Sequence, residues 1–150
     1  MKRTLFSLFA FIALLMFARI NVAACSCIQP FENPTLKQEL NWHRKNAKAI
    51  FTGKVIEIKN FSHSQSTGVI VKMMVERFWK LPVPEEIIIT DSGTSCDYSF
   101  EVGKSYLVYA FSSSGKNIST NLCSGNKTLQ DATQDIKLLG RSKKPQKSKY

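Results

Sequence analysis

The sequence predicts a mainly β domain in which five strands close fully or partly into a small barrel, flanked by a helix on either side. Two observations carry this expectation. The middle of the chain holds runs rich in β-branched and aromatic residues, separated by short polar turns. The stretches with helical spacing lie outside those runs, one before and one after.

The first strand is "AIFTGKVIEIKNF", residues 49–61, with Gly53 as a candidate bulge. In "TGVIVKMMVERFWK" Val69, Val71, Met73 and Val75 face one way while Lys72 and Glu76 face the other. That is a half-buried strand, with its methionine pair as core filler. "SHSQSTG" between the two is a polar hairpin loop. "LPVP" turns the chain into "EEIIITD", a short and wholly apolar third strand. The loop "DSGTSCDYSFEVG" carries Cys96. It is followed by "KSYLVYAF" and "KNISTNLC", the fourth and fifth strands, joined by "SSSG".

The first helix is "PTLKQELNWHRKN", with Asn33 as its N-cap and Pro34 at the first helical position, where a missing N–H costs nothing. Leu36, Leu40 and His43 fall on one stripe, and Glu39 can pair with His43 or Arg44. His43 reads as a half-buried packing residue, because no helix-spaced second donor accompanies it. The last helix, "TLQDATQDIKLLG", begins with a capping-box-like Thr128 and Asp131 and ends at Gly140.

The ends of the chain set its compartment. Met1-Lys2-Arg3, the apolar run "TLFSLFAFIALLMFA" and the small residues Ala23 and Ala24 describe a secretory signal peptide over residues 1–24. Arg19 interrupts the apolar run before it reaches the ~20 residues of a membrane span. The remaining 126 residues suffice for one domain with a core, placed at 25–140 and followed by a basic disordered tail at 141–150. The formal charge of +10 divides unevenly: residues 25–140 hold 13 basic against 11 acidic residues, and the tail alone holds five basic ones. Basicity confined to a solvated tail specifies no partner, so no nucleic acid is expected.

Cys25, Cys27, Cys96 and Cys123 form an even set, which in an exported chain implies two disulfides. Bridging Cys25 to Cys27 would close a tiny ring across Ser26, near the upper limit of disulfide geometry. Two pairings remain, each tying the N-terminal segment to two distant places. Zinc binding by these thiols fits poorly, since C-x-C and two lone cysteines lack the usual paired spacing.

Enzyme chemistry finds little to stand on. There are two histidines in all, and no nucleophile elbow, zinc-protease helix motif or phosphate-cradling glycine loop. Asp91 and Asp97 flank Cys96 as ordinary turn formers. No cofactor is called for. Three N-x-[S/T] sequons occur, at Asn60, Asn117 and Asn126.

A leader ending directly before C-x-C, a helix, "AIFTGKVIEI", a long strand ending in "ERFWK", then "TSC" and "LCSG" before a helix together resemble the netrin-like (NTR) module. Within it they are most similar to the inhibitory N-terminal domain of the tissue inhibitors of metalloproteinases, over Cys25 to about Gly140. The resemblance implies an OB-like five-stranded β-barrel with flanking helices and the bridges Cys25–Cys96 and Cys27–Cys123. It also implies a secreted inhibitor of zinc metalloproteases that binds in the catalytic cleft, without being an enzyme itself. The amine and carbonyl of Cys25 would chelate the protease zinc, the only metal contact implied. Ser26 would enter the specificity pocket, Cys27, Ile28 and Gln29 would extend the ridge, and Thr94 and Ser95 would form the neighbouring strip.

The family's third bridge has no cysteines here, and ten residues, five of them basic, stand where the family carries a cysteine-rich C-terminal domain. The alternative is a non-inhibitory netrin-like binding module, including one anchored to a membrane by lipid on Cys25, since "VAAC" also fits a lipoprotein signal. Lipidation would leave three cysteines, an odd set, and the even count argues against it. The expectation is therefore a monomer, secreted or periplasmic, with a cell-surface lipid anchor as the alternative and membrane contact only in that case.

Overall fold

Alternation along the strands, and the places where it breaks, organise this chain. The computed structural model describes residues 25–28, 30–63, 66–91, 93–114 and 117–145. The expected leader (1–24), Gln29 and the last five tail residues lie outside these. The elements are α1 (Leu36–Asn46), β1 (Ala49–His63), β2 (Ser66–Lys80), β3 (Glu86–Asp91), β4 (Ser105–Ser114), β5 (Asn117–Ser119), a 3-10 turn (Leu122–Ser124), β6 (Lys127–Thr128) and α2 (Thr133–Leu139).

The strand order is β1-β2-β3-β5-β4-β6, and β1 pairs additionally with β4 through Ala49–Lys54. Neighbours are antiparallel except β3 and β5, which meet in parallel at Ile89 and Ile118. This corrects the expected OB-like five-stranded barrel: the described residues form a mixed six-stranded sheet with two helices and two disulfides. The reason lies in "KNISTNLC", which does not continue as one strand. After Ser119, the Asn121 side chain accepts from Cys123 N–H at 2.9 Å and caps the 3-10 turn instead. Lys127 and Thr128 then pair with Leu107 and Tyr106 as a sixth, short strand.

The β1–β2 hairpin carries three irregularities that re-aim its side chains. Thr52 faces Arg77 and Gly53 faces Val75, so Glu76 is the extra residue there. This moves the inward set of β2 from odd positions (Val71, Met73, Val75) to Phe78. Val55 faces Met73 and Glu57 faces Lys72, so Ile56 is extra on β1 and Ile58 turns inward. Met74 is 40% exposed, so only Met73 of the methionine pair fills the core. Gly53 sits close to the β2 backbone, where a Cβ would stand 3.0 Å from the Met74 carbonyl oxygen.

Two apolar clusters lie on opposite faces of β1 and β4. One gathers Phe51, Val55, Val71, Met73, Ile89, Tyr106 and Val108. The other places Ile50, Leu107 and Tyr109 against Leu40 of α1 and Leu139 of α2. β4 is thus buried on both faces, which is why "YLVYA" shows no polar alternation. Each large side chain withdrawn from water contributes about 1.5–3 kcal/mol.

The helix starts differ from expectation. Thr35, not Asn33, caps α1: its N–H donates to Gln38 Oε1 at 2.9 Å, and its hydroxyl accepts from Gln38 N–H at 3.4 Å. Asn33 instead takes a left-handed φ of 51°. Thr128 and Asp131 do bond to each other, at 2.6 Å between side-chain oxygens, but they close a turn, and α2 begins at Thr133. Within the basic segment, Lys143 exchanges backbone hydrogen bonds of 2.9 and 2.8 Å with Phe78 on β2.

Candidate functional site

Cysteines two apart on an extended segment project from the same face, roughly 7 Å apart. Both can be bonded only if their partners lie side by side. Cys25 is bonded to Cys96 and Cys27 to Cys123, with Cα–Cα distances of 5.2 and 5.3 Å. The two partners are neighbours because Leu122 N–H donates to the Cys96 carbonyl at 2.8 Å. One backbone bond therefore joins the loop after β3 to the 3-10 turn, and the N-terminal segment is stapled across both.

The loop beneath Cys96 is closed on itself. Thr94 N–H donates to Asp97 Oδ2 at 2.9 Å, the Thr94 hydroxyl donates to Oδ1 at 3.2 Å, and Cys96 N–H donates to the Thr94 hydroxyl at 3.3 Å. Gly93 holds φ at 72°, and a Cβ there would come within 2.9 Å of the Thr67 carbonyl oxygen, so a larger residue would not fit. Thr94 and Ser95 are exposed on this fixed loop, next to the anchor of Cys25. Ser26 is exposed between the bridges, and Ile28 leaves the second bridge 83% exposed. Gln29 lies outside the described residues.

Behind Ile28 is a cavity of about 140 Å³ between the Cys27–Cys123 bridge and α1, with Phe31, Trp42, His43 and Leu122 among its walls. Leu122 is 51% and Phe31 41% exposed, so Ile28 belongs to a patch of three exposed apolar side chains. His43 stands under it, its ring centroid 5.0 Å from Trp42 and 5.5 Å from Tyr109. Burial lowers the His43 pKa, while Glu39, 3.8 Å away, pulls the other way. Phe31 and Leu122 were not singled out from the sequence. The available signal was that each lies within four residues of a bridging cysteine.

No family model matches the chain, and no curated protein matches it. Among the described residues no group of three or more His, Cys, Asp or Glu could hold a metal ion. The expected metalloprotease-inhibitor function is corrected on these findings and on the six-stranded mixed sheet, together with the TIMP-like, NTR and OB-fold identities. Among the described residues no helix is long and apolar enough to cross a membrane. Two disulfides are consistent with a chain kept outside the reducing cytoplasm.

Proposed function

We propose that this chain is an exported binding module rather than an enzyme. Its recognition edge is Cys25–Ile28, with Thr94 and Ser95 on one side and Phe31 and Leu122 on the other. The observation that carries this reading is Ile28, an apolar side chain held 83% exposed immediately beyond a disulfide. A pre-ordered segment loses little conformational entropy on docking, so its apolar contact is converted to affinity efficiently. Exposed apolar groups clustered in this way favour a folded protein partner offering a pocket for Ile28.

The same bonds support export without a lipid anchor on Cys25. Cys25 Sγ is engaged by Cys96, and a lipid thioether on that sulfur would compete with the bridge. Intact mass and N-terminal sequencing of the exported protein test this. A free Cys25 amine and the loss of four hydrogens support it, and a lipid mass on Cys25 overturns it.

Photocrosslinking tests the edge itself. A benzophenone side chain is placed at position 28, and in a second protein at Val102, which is 61% exposed in a remote turn. A discrete protein adduct from position 28 that is absent from position 102 supports the reading. Equal labelling from both positions, or none from either, overturns it.

A further inference from the structure

We propose that a second cavity, roofed by the loop after β3, binds a small organic cation, a primary amine on an apolar body, through the carboxylate of Asp91. This site is independent of the recognition edge, although Thr94 and Ser95 border both. The cavity has a volume of about 470 Å³, within the roughly 300–1,000 Å³ usual for small-molecule sites. Its apolar walls come from Ile58 on β1, Val69 and Val71 on β2, and Phe100 beyond the loop.

Asp91 ends β3 with the same inward parity as Ile87 and Ile89, and it is 4% exposed. The nearby Thr120 backbone N–H favours the ionised form of this carboxyl group. Oδ1, however, is buried with no hydrogen-bond partner. A buried acceptor without a partner forfeits about 1–3 kcal/mol, more if charged, so the Asp91 carboxyl group carries an unmet demand, and it lines the cavity beside both apolar side chains and the polar Asn60 and Ser99.

The charge around that point has one sign. Of the residues that line the cavity, the loop contributes Asp97, whose carboxylate is held by Thr94, and the weakly acidic Tyr98. β1 contributes Ile58 and Asn60, and β2 contributes Val69 and Val71, none of them charged. Among the described residues no lysine or arginine lines the cavity. An anion would meet two carboxyl groups, and a neutral donor could hydrogen-bond Asp91 without compensating its charge, whereas an ammonium group would supply donors and compensating charge together.

Burial first, and Asp97 second, push the Asp91 pKa up to about 6. Asp91 is therefore ionised at neutral pH and loses its charge in mild acid. Affinity for an amine should fall as the pH falls through this value.

The test titrates the mature, disulfide-bonded protein with hexylamine, 1-hexanol and hexanoate, following the amide resonances of residues 93–100. The expected result is hexylamine binding at least tenfold tighter than hexanol at pH 7.5, with Asp91→Asn removing that advantage. Between pH 7 and 5 the wild-type affinity for hexylamine should fall about tenfold, following the ionised fraction of Asp91, while hexanol is unaffected. Should Asp91→Asn fail to fold, the wild-type pH profile alone decides. Equal binding of amine and alcohol, amine affinity independent of pH, or no resonance shifts would each overturn the proposal.

Discussion

The imidazole of His43 occupies the space where a side chain at residue 125 would be. A Cβ built on Gly125 would stand 2.6 Å from His43 Cδ2 and 2.8 Å from Cε1. Gly125 also holds φ at 85°, in the left-handed region, directly after the turn that carries Cys123. α1 and the anchor of the second bridge are thus fitted together through a missing side chain. Gly125→Ala should cost about 2–4 kcal/mol, from left-handed strain and overpacking together. Urea denaturation measures it. His43→Ala in the same background should recover the packing part and leave the strain, giving a coupling above about 0.5 kcal/mol. Strictly additive effects would show that the two residues do not press on each other.

Asn126 ties the same turn to β4. Its Oδ1 accepts from Tyr109 N–H at 2.8 Å, its Nδ2 donates to the Thr120 hydroxyl at 2.7 Å, and that hydroxyl donates to the Tyr109 carbonyl at 2.8 Å. The residue is 8% exposed, so this sequon asparagine is a structural one, unlike exposed Asn60. Asn126→Ala leaves a buried backbone N–H and a buried hydroxyl short of partners. A loss of about 2–4 kcal/mol is expected in urea denaturation, and a change below 0.5 kcal/mol would contradict the network.

Asp91 should also shape stability against pH in the absence of any ligand. Its folded-state pKa of about 6 lies above the ordinary 3.8. Between those values the folded chain binds more protons than the unfolded one, so stability falls as the pH rises from about 4 to 6 and then levels off. Asp91→Asn removes this penalty. The variant should be about 1–2 kcal/mol more stable than wild type at pH 7 and should lose that part of the pH slope. A variant less stable at pH 7, with the slope intact, would show that Asp91 is not strained by its charge.

These residues also show what could be read without coordinates. β1 and β2 are legible because long alternation exposes their period, and β4 because five apolar residues in a row signal burial on both faces. β3 misleads: three consecutive isoleucines hide the alternation, yet Ile88 is 53% exposed while Ile87, Ile89 and Asp91 point inward. Counting by twos from Ile87 would have placed Asp91 inside. The three-residue β5 carries no periodic signal, and its parallel contact with β3 is a long-range choice made by packing. At the recognition edge, C-x-C marked the stapled segment. The joining bond from Leu122 to Cys96 is between backbone groups, which every residue has, so no side chain announces it.

Backbone pairing likewise explains the basic segment. Lys143 meets Phe78 through N–H and C=O groups on both sides, and Trp79 Nε1 donates to the Gly140 carbonyl at 2.9 Å just before it. Phe78 is 6% exposed beneath this contact. The charge of Lys143 takes no part in it, so Lys143→Ala should leave stability within about 0.5 kcal/mol of wild type. Lys143→Pro removes the N–H that bonds Phe78 and should cost about 1 kcal/mol or more. Removing residues 141–150 loses both bonds and should cost about 1–3 kcal/mol. Thermal and urea unfolding of the three variants separates the possibilities. If the alanine variant fell as far as the proline one, charge or side-chain packing would be holding the segment; if neither fell, the pairing would contribute no stability.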